Sequence, residues 1–85
     1  MEESDDIRST AAEDAALESA ALQQVLALHP AAITFEELAR ELGEEDADSI
    51  ERAVRDLVAA GLLLRSGPLV LPTRAARRFD ELLER

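Results

Sequence analysis

Apolar residues recur three and four positions apart in four stretches of this chain, and between the third and fourth they collapse into two short continuous runs. The first stretch places Leu22, Val25 and Leu26 on one helical face and Leu17, Ala21 and Leu28 on a neighbouring stripe. It lies in an alanine-rich run without Gly or Pro until Pro30, and Thr10 followed by Glu13 has the spacing of a capping box, which predicts a helix over about 11–28. Pro30 ends it, having no amide hydrogen and disfavouring a helical residue before it. Thr34 and Glu37 repeat the box, Phe35, Leu38, Ala39 and Leu42 form a short amphipathic helix, and Gly43 supplies the left-handed residue after its end. In the third stretch Ile50, Ala53, Val54, Leu57 and Val58 make one stripe, with Asp46 or Asp48 as cap and Gly61 as stop. The runs in "LLLRSGPLVLP" read as a β-hairpin about a Ser-Gly turn, with Pro68 and Pro72 confined to edge or terminal positions. Thr73 then caps a last helix, "RAARRFDELLER", whose Ala75, Ala76, Phe79, Leu82 and Leu83 are expected to point inward.

Residues 1–9, "MEESDDIRS", hold four acids and, beyond the initiator methionine, one sizeable apolar side chain. That is too little burial to offset ordering entropy, so an acidic disordered arm is expected there, followed by one domain over 10–85. The expected class is mainly α with a small hairpin (α+β). At 85 residues the chain buries only about 60–65% of its unfolded surface. With Phe35 and Phe79 as the only aromatics, its core must be aliphatic side chains packed against alanine.

The pieces "ITFEELARELG", "SIERAVRDLVAAGLL", the hairpin and "LPTRAARRF" together resemble the winged helix-turn-helix domain of small bacterial and archaeal transcriptional regulators, the last piece being similar to the segment after the wing in MarR- and PadR-like proteins. The likeness covers roughly residues 17–85. It implies a three-helix core, a two-stranded wing over 62–71 with its tip at 65–68, and a C-terminal helix. It also implies a recognition helix over 47–60 and double-stranded DNA as partner.

On that helix Arg52 and Arg55 lie opposite the apolar stripe and are candidates for bidentate guanine contacts, with Ser49 as a base or phosphate donor. Phosphate contacts fall to Arg65, Arg74 and Arg78, with Arg77 close by, giving a salt slope of roughly −3.5 for four contacts. The competing reading of the same residues is local pairing: Asp48–Arg52, Glu51–Arg55, Arg52–Asp56 and Arg77–Glu81 are all four apart.

Charge changes this picture. The formal net charge is −10, and residues 1–51 hold 15 acids against 2 arginines, whereas 52–85 hold 4 acids against 7 arginines. The turn and first turn of the third helix carry Glu44, Glu45, Asp46 and Asp48. This is the wrong sign for a tip facing phosphates, so the alternative is a protein-interaction module whose acidic surface docks on a basic partner. A homodimer through helix 11–28, by its Leu17/Ala21/Leu28 stripe, and/or through 74–84 is a further expectation, as is an acidic arm folding over Arg65, Arg74 and Arg78.

Cysteine is absent and His29, beside Pro30, is the only histidine, read as a turn residue with a pH-sensing role as the outside alternative. No Cys/His metal spacing, nucleophile–base set or Gly-rich phosphate loop is present, and the 44–46 acids lack the alternation of a calcium loop. No enzyme activity, metal or cofactor is expected. No apolar run reaches the ~18 residues of a membrane span and the start is acidic, so a cytoplasmic protein is expected.

Overall fold

Local capping chemistry sets most of the element boundaries. The computed structural model describes residues 2–43 and 46–83, with backbone alone through residue 11. It contains helix α1 (Glu2–Leu28), strand β1 (Ile33–Thr34), α2 (Phe35–Glu41), α3 (Ala47–Ala59), β2 (Leu63–Ser66), β3 (Leu69–Pro72) and α4 (Arg74–Leu83). Four helices and one small antiparallel sheet give an α+β architecture.

At α2 the Thr34 hydroxyl accepts from the Glu37 amide at 3.1 Å while the Glu37 carboxylate accepts from the Thr34 amide at 3.3 Å, so the predicted capping box is complete. Asp46 caps α3, its carboxylate accepting from the Asp48 amide at 3.0 Å. The far end of α3 closes on Gly61 at φ +80°, where the Gly61 amide donates to Val58 and the Leu62 amide to Leu57. That pair of bonds needs a left-handed residue, which glycine adopts without a Cβ penalty.

Three differences from the sequence expectation stand out. Helix α1 runs back to Glu2, through the stretch expected as a free arm and past the Thr10 position expected as its cap. Residues 2–10 contain no Gly or Pro, and acids in a first turn complement the helix dipole. Secondly, the sheet has three strands in the order β1-β3-β2, with Ile33 opposite Val70 and Leu63 opposite Pro72. The hairpin loop is Gly67–Pro68 rather than Ser-Gly, since Ser66 still pairs with Leu69, and Gly67 takes φ +58°.

The third difference concerns which faces are covered. The core consists of Ala21, Val25, Ile33, Leu38, Ile50, Val54, Leu57, Leu63 and Val70, all aliphatic. Ala21 is fully buried and Leu17 packs against the same core, so the α1 stripe expected to be free is in fact partly the core-facing one; only Leu28 at its end is exposed. The reverse holds at α4. Of its five residues expected inward, Ala76 alone is buried, and Phe79, Leu82 and Leu83 are 62%, 50% and 69% exposed. Helix α4 is tied to the body mainly at its start. There the Thr73 hydroxyl donates to the Gly61 carbonyl at 2.7 Å and accepts from the Ala76 amide at 3.1 Å, while the Thr73 amide donates to Leu62.

Candidate interaction surface

Helix α3 is held between α1 on one side and β2 on the other, and its charged residues divide accordingly. Towards α1, Arg52 reaches Asp14 at 3.8 Å, and Ser49, Arg52, Ala53 and Asp56 face Asp14, Leu17 and Glu18 across a shallow cleft. Towards the sheet, Glu51 accepts two hydrogen bonds from a single Arg65 nitrogen, at 2.8 and 2.9 Å. Between these sides the exposed ridge of α3 presents Asp48, Arg55 and Ala59.

Arg65 owes its position to strand register. It pairs across the ladder with Val70, as Ile33 does from the other side, so it shares the core-facing side of the sheet. Its guanidinium carbon stands 4.9 Å from the centroid of the Phe35 ring at the start of α2. Arg65 therefore joins α2, the sheet and α3 at the edge of the core.

The other candidate DNA contacts are also largely committed. The Ser49 hydroxyl donates to the Asp46 carboxylate at 2.9 Å, so its one proton serves the cap of α3. Arg78 pairs with Glu81 at 3.3 Å on an open surface. The Arg77 guanidinium meets His29 Nε2 at 3.3 Å, which sets the start of α4 against the end of α1 and makes His29 more than a turn residue. Among the candidate arginines, Arg55, Arg74 and Arg77 make no ion pair with a described residue, and of these three Arg77 is engaged by His29. None of the four-apart pairs expected on α3 forms, and neither does Arg77–Glu81; among the described residues the ion pairs are Arg52–Asp14, Arg65–Glu51 and Arg78–Glu81. The helix-to-helix and helix-to-sheet partners compete successfully because α3 is wedged between two elements that bring their own charges.

Two carboxyl groups depart from their ordinary behaviour. Hydrogen bonds from the Ser49 hydroxyl and then the Asp48 amide hold Asp46 below the usual range. Partial burial against α3, followed by the charge and hydrogen bond of Asp56, pushes Glu18 up. Of the acids proposed for partner docking, Asp46 and Asp48 stand exposed at the start of α3, and Glu44 and Glu45 lie outside the described residues.

No protein-family model matches the chain, and no curated protein matches it. Among the described residues no helix is long and apolar enough to cross a membrane.

Proposed function

We propose that this chain is a winged helix-turn-helix module that works by contacting protein rather than by reading DNA. The winged-helix assignment is supported by the element order and by β1 pairing with β3 beside a hairpin, with α2 and α3 as the helix-turn-helix. The functional reading rests on one observation: the arginine at the hairpin and the first arginine of α3 are paired with acids of the same chain, Arg65 with Glu51 at 2.8 Å and Arg52 with Asp14 at 3.8 Å.

A DNA-binding surface depends on unneutralised cations that displace counterions from phosphate. Here Arg55 shares its ridge with Asp48, after an acidic turn and within a chain of net charge −10. The same field suits a basic protein partner docking over Asp46, Asp48 and the turn before them, because opposite potentials steer association. The DNA-binding regulator is the second reading, and what favours it is that Arg55 and Arg74 are exposed and without ion-pair partners among the described residues.

Titration of a fluorescently labelled duplex at about 50 and about 200 mM salt separates the two. The proposal expects no binding at the higher salt, and a gain in low-salt affinity for Glu51→Gln, which releases Arg65. Neutralising Glu44, Glu45 and Asp46 should weaken binding to an arginine-rich peptide and strengthen binding to the duplex. Sequence-selective, salt-resistant binding by the unmodified protein that Arg55→Glu abolishes would replace this reading with the second.

A further inference from the structure

We propose that the contact between His29 and Arg77 is a pH-sensitive latch, which holds α4 along α1 while the imidazole is neutral and releases it when the imidazole takes up a proton. The latch works alike whichever partner the acidic surface meets.

Hydrogen-bond chemistry fixes the protonation state that the contact requires. A guanidinium carries only donors, so the Arg77 nitrogen 3.3 Å from His29 Nε2 donates, and Nε2 is the ring nitrogen without a proton. The imidazole is therefore neutral, with its one proton on Nδ1. A second proton taken from solvent goes to Nε2, the atom that accepts from Arg77. It removes the acceptor and sets two cations against each other at contact distance.

Arg77 has no other partner to fall back on. It is half-buried, its Nε is buried without a hydrogen-bond partner among the described residues, and it forms no ion pair with them. Few charged groups face the imidazole. The hollow of about 130 Å³ beside it is bounded by Leu26 from α1 and by Arg77, Asp80 and Glu81 from α4, so both acids there belong to the helix being held. Glu81 is engaged by Arg78 at 3.3 Å, which leaves Asp80 to moderate the charge of an imidazolium.

Position gives this one contact its leverage. Helix α4 buries Ala76 alone, and Thr73 ties its start to the turn after α3. Arg77 closes the first turn, and among the described residues no side chain further along α4 bonds to another element, since Arg78–Glu81 lies within the helix. Beyond it Phe79 and Leu83 stand over an apolar groove shared with Leu22 and Leu26 of α1. Release of Arg77 frees the helix beyond its first turn, with Thr73 as the pivot, and opens that groove. The contact is thus present above the imidazole range and is lost as pH falls through it.

Hydrogen exchange of the α4 amides, followed from about pH 7.5 to about pH 5.5 and corrected for the intrinsic pH dependence of exchange, tests the latch. His29 is the only histidine, so its ring resonances report the same titration without overlap. The expected result is a fall of roughly 5-fold or more in the protection of residues 78–83 relative to α3, with the midpoint of the ring titration. His29→Gln offers Arg77 a carbonyl acceptor that does not titrate, and should keep α4 protected throughout. His29→Ala should leave α4 loose at both ends of the range. Asp80→Asn should enlarge the fall, because the acid that moderates the imidazolium is gone. A ring that titrates while α4 keeps its protection overturns the proposal. So does a fall that persists in His29→Gln or His29→Ala, or one that Asp80→Asn abolishes.

Discussion

Helices α3 and α4 have similar designs and opposite fates. Each is short, strongly amphipathic, capped by an oxygen-bearing side chain and attached to the body through a named turn. Yet α3 buries Ile50, Ala53, Val54 and Leu57 to within a few per cent of completeness, whereas α4 buries Ala76 and leaves Phe79, Leu82 and Leu83 in solvent. The difference lies in what surrounds them. Helix α3 sits between α1 and β2, while α4 packs mainly along the C-terminal half of α1 and is tied by Thr73 to the turn after α3. An apolar stripe records that a helix must be covered, and it does not record by which chain.

The contrast between the two helices should be largest in the core. Leu38→Ala or Ile50→Ala should cost about 2–5 kcal/mol in the unfolding free energy measured by urea titration. Phe79→Ala at micromolar concentration, by contrast, should cost well under about 1 kcal/mol, because an exposed side chain leaves no cavity. Equal losses at positions 50 and 79 would contradict the difference between the helices.

Next in size is the link between them. Thr73→Val removes the hydroxyl that receives the Ala76 amide and donates to Gly61, and should cost about 1–2 kcal/mol. Its effect should appear as loss of α4 helicity before global unfolding, seen by nuclear magnetic resonance chemical shifts.

Smaller again is the Arg65–Glu51 pair. Both side chains are more than a third exposed, so Glu51→Gln should change stability by no more than about 1 kcal/mol, and salt should reduce the effect.

Acid titration should give the smallest shifts, with opposite signs at the two ends of the α1–α3 pair. Asp46 titrates below its ordinary value when folded, so its contribution is present above the unfolded value and is lost as pH falls through the folded one. Glu18 titrates above its ordinary value when folded. Its charged form therefore opposes folding at neutral pH, and this opposition fades as pH falls through the raised value. Accordingly, Asp46→Ala should lower the melting temperature at pH 7 with the loss shrinking in acid, and Glu18→Gln should raise it at pH 7 with the gain shrinking in acid.

Features governed by neighbouring residues were legible in the sequence. Thr34 with Glu37, Gly43, Asp46, Gly61 and Thr73 mark element ends because caps and left-handed turns are chemistry within a few residues. Strand β1 was not legible, since Ile33 and Thr34 are extended only through their pairing with Val70 and Leu69, over thirty positions away. The ion pairs failed for the same reason. Four-apart spacing favours partners on one helix, but Glu51 bonds Arg65 fourteen residues on, and Arg52 is drawn to Asp14 when α1 packs against α3. Within α1, alanine hid the orientation: Ala21 contributes little to a hydrophobic pattern and yet sits at the centre of the core.

Amide hydrogen exchange, measured residue by residue in α3 and α4 at low micromolar protein, tests most directly whether the two helices differ in solution as they do in cover. If they do, α3 amides exchange only through global unfolding, while those of α4 beyond its first turn are weakly protected. Protection in α4 that equals that of α3 would show the two helices to be equally covered and contradict the account.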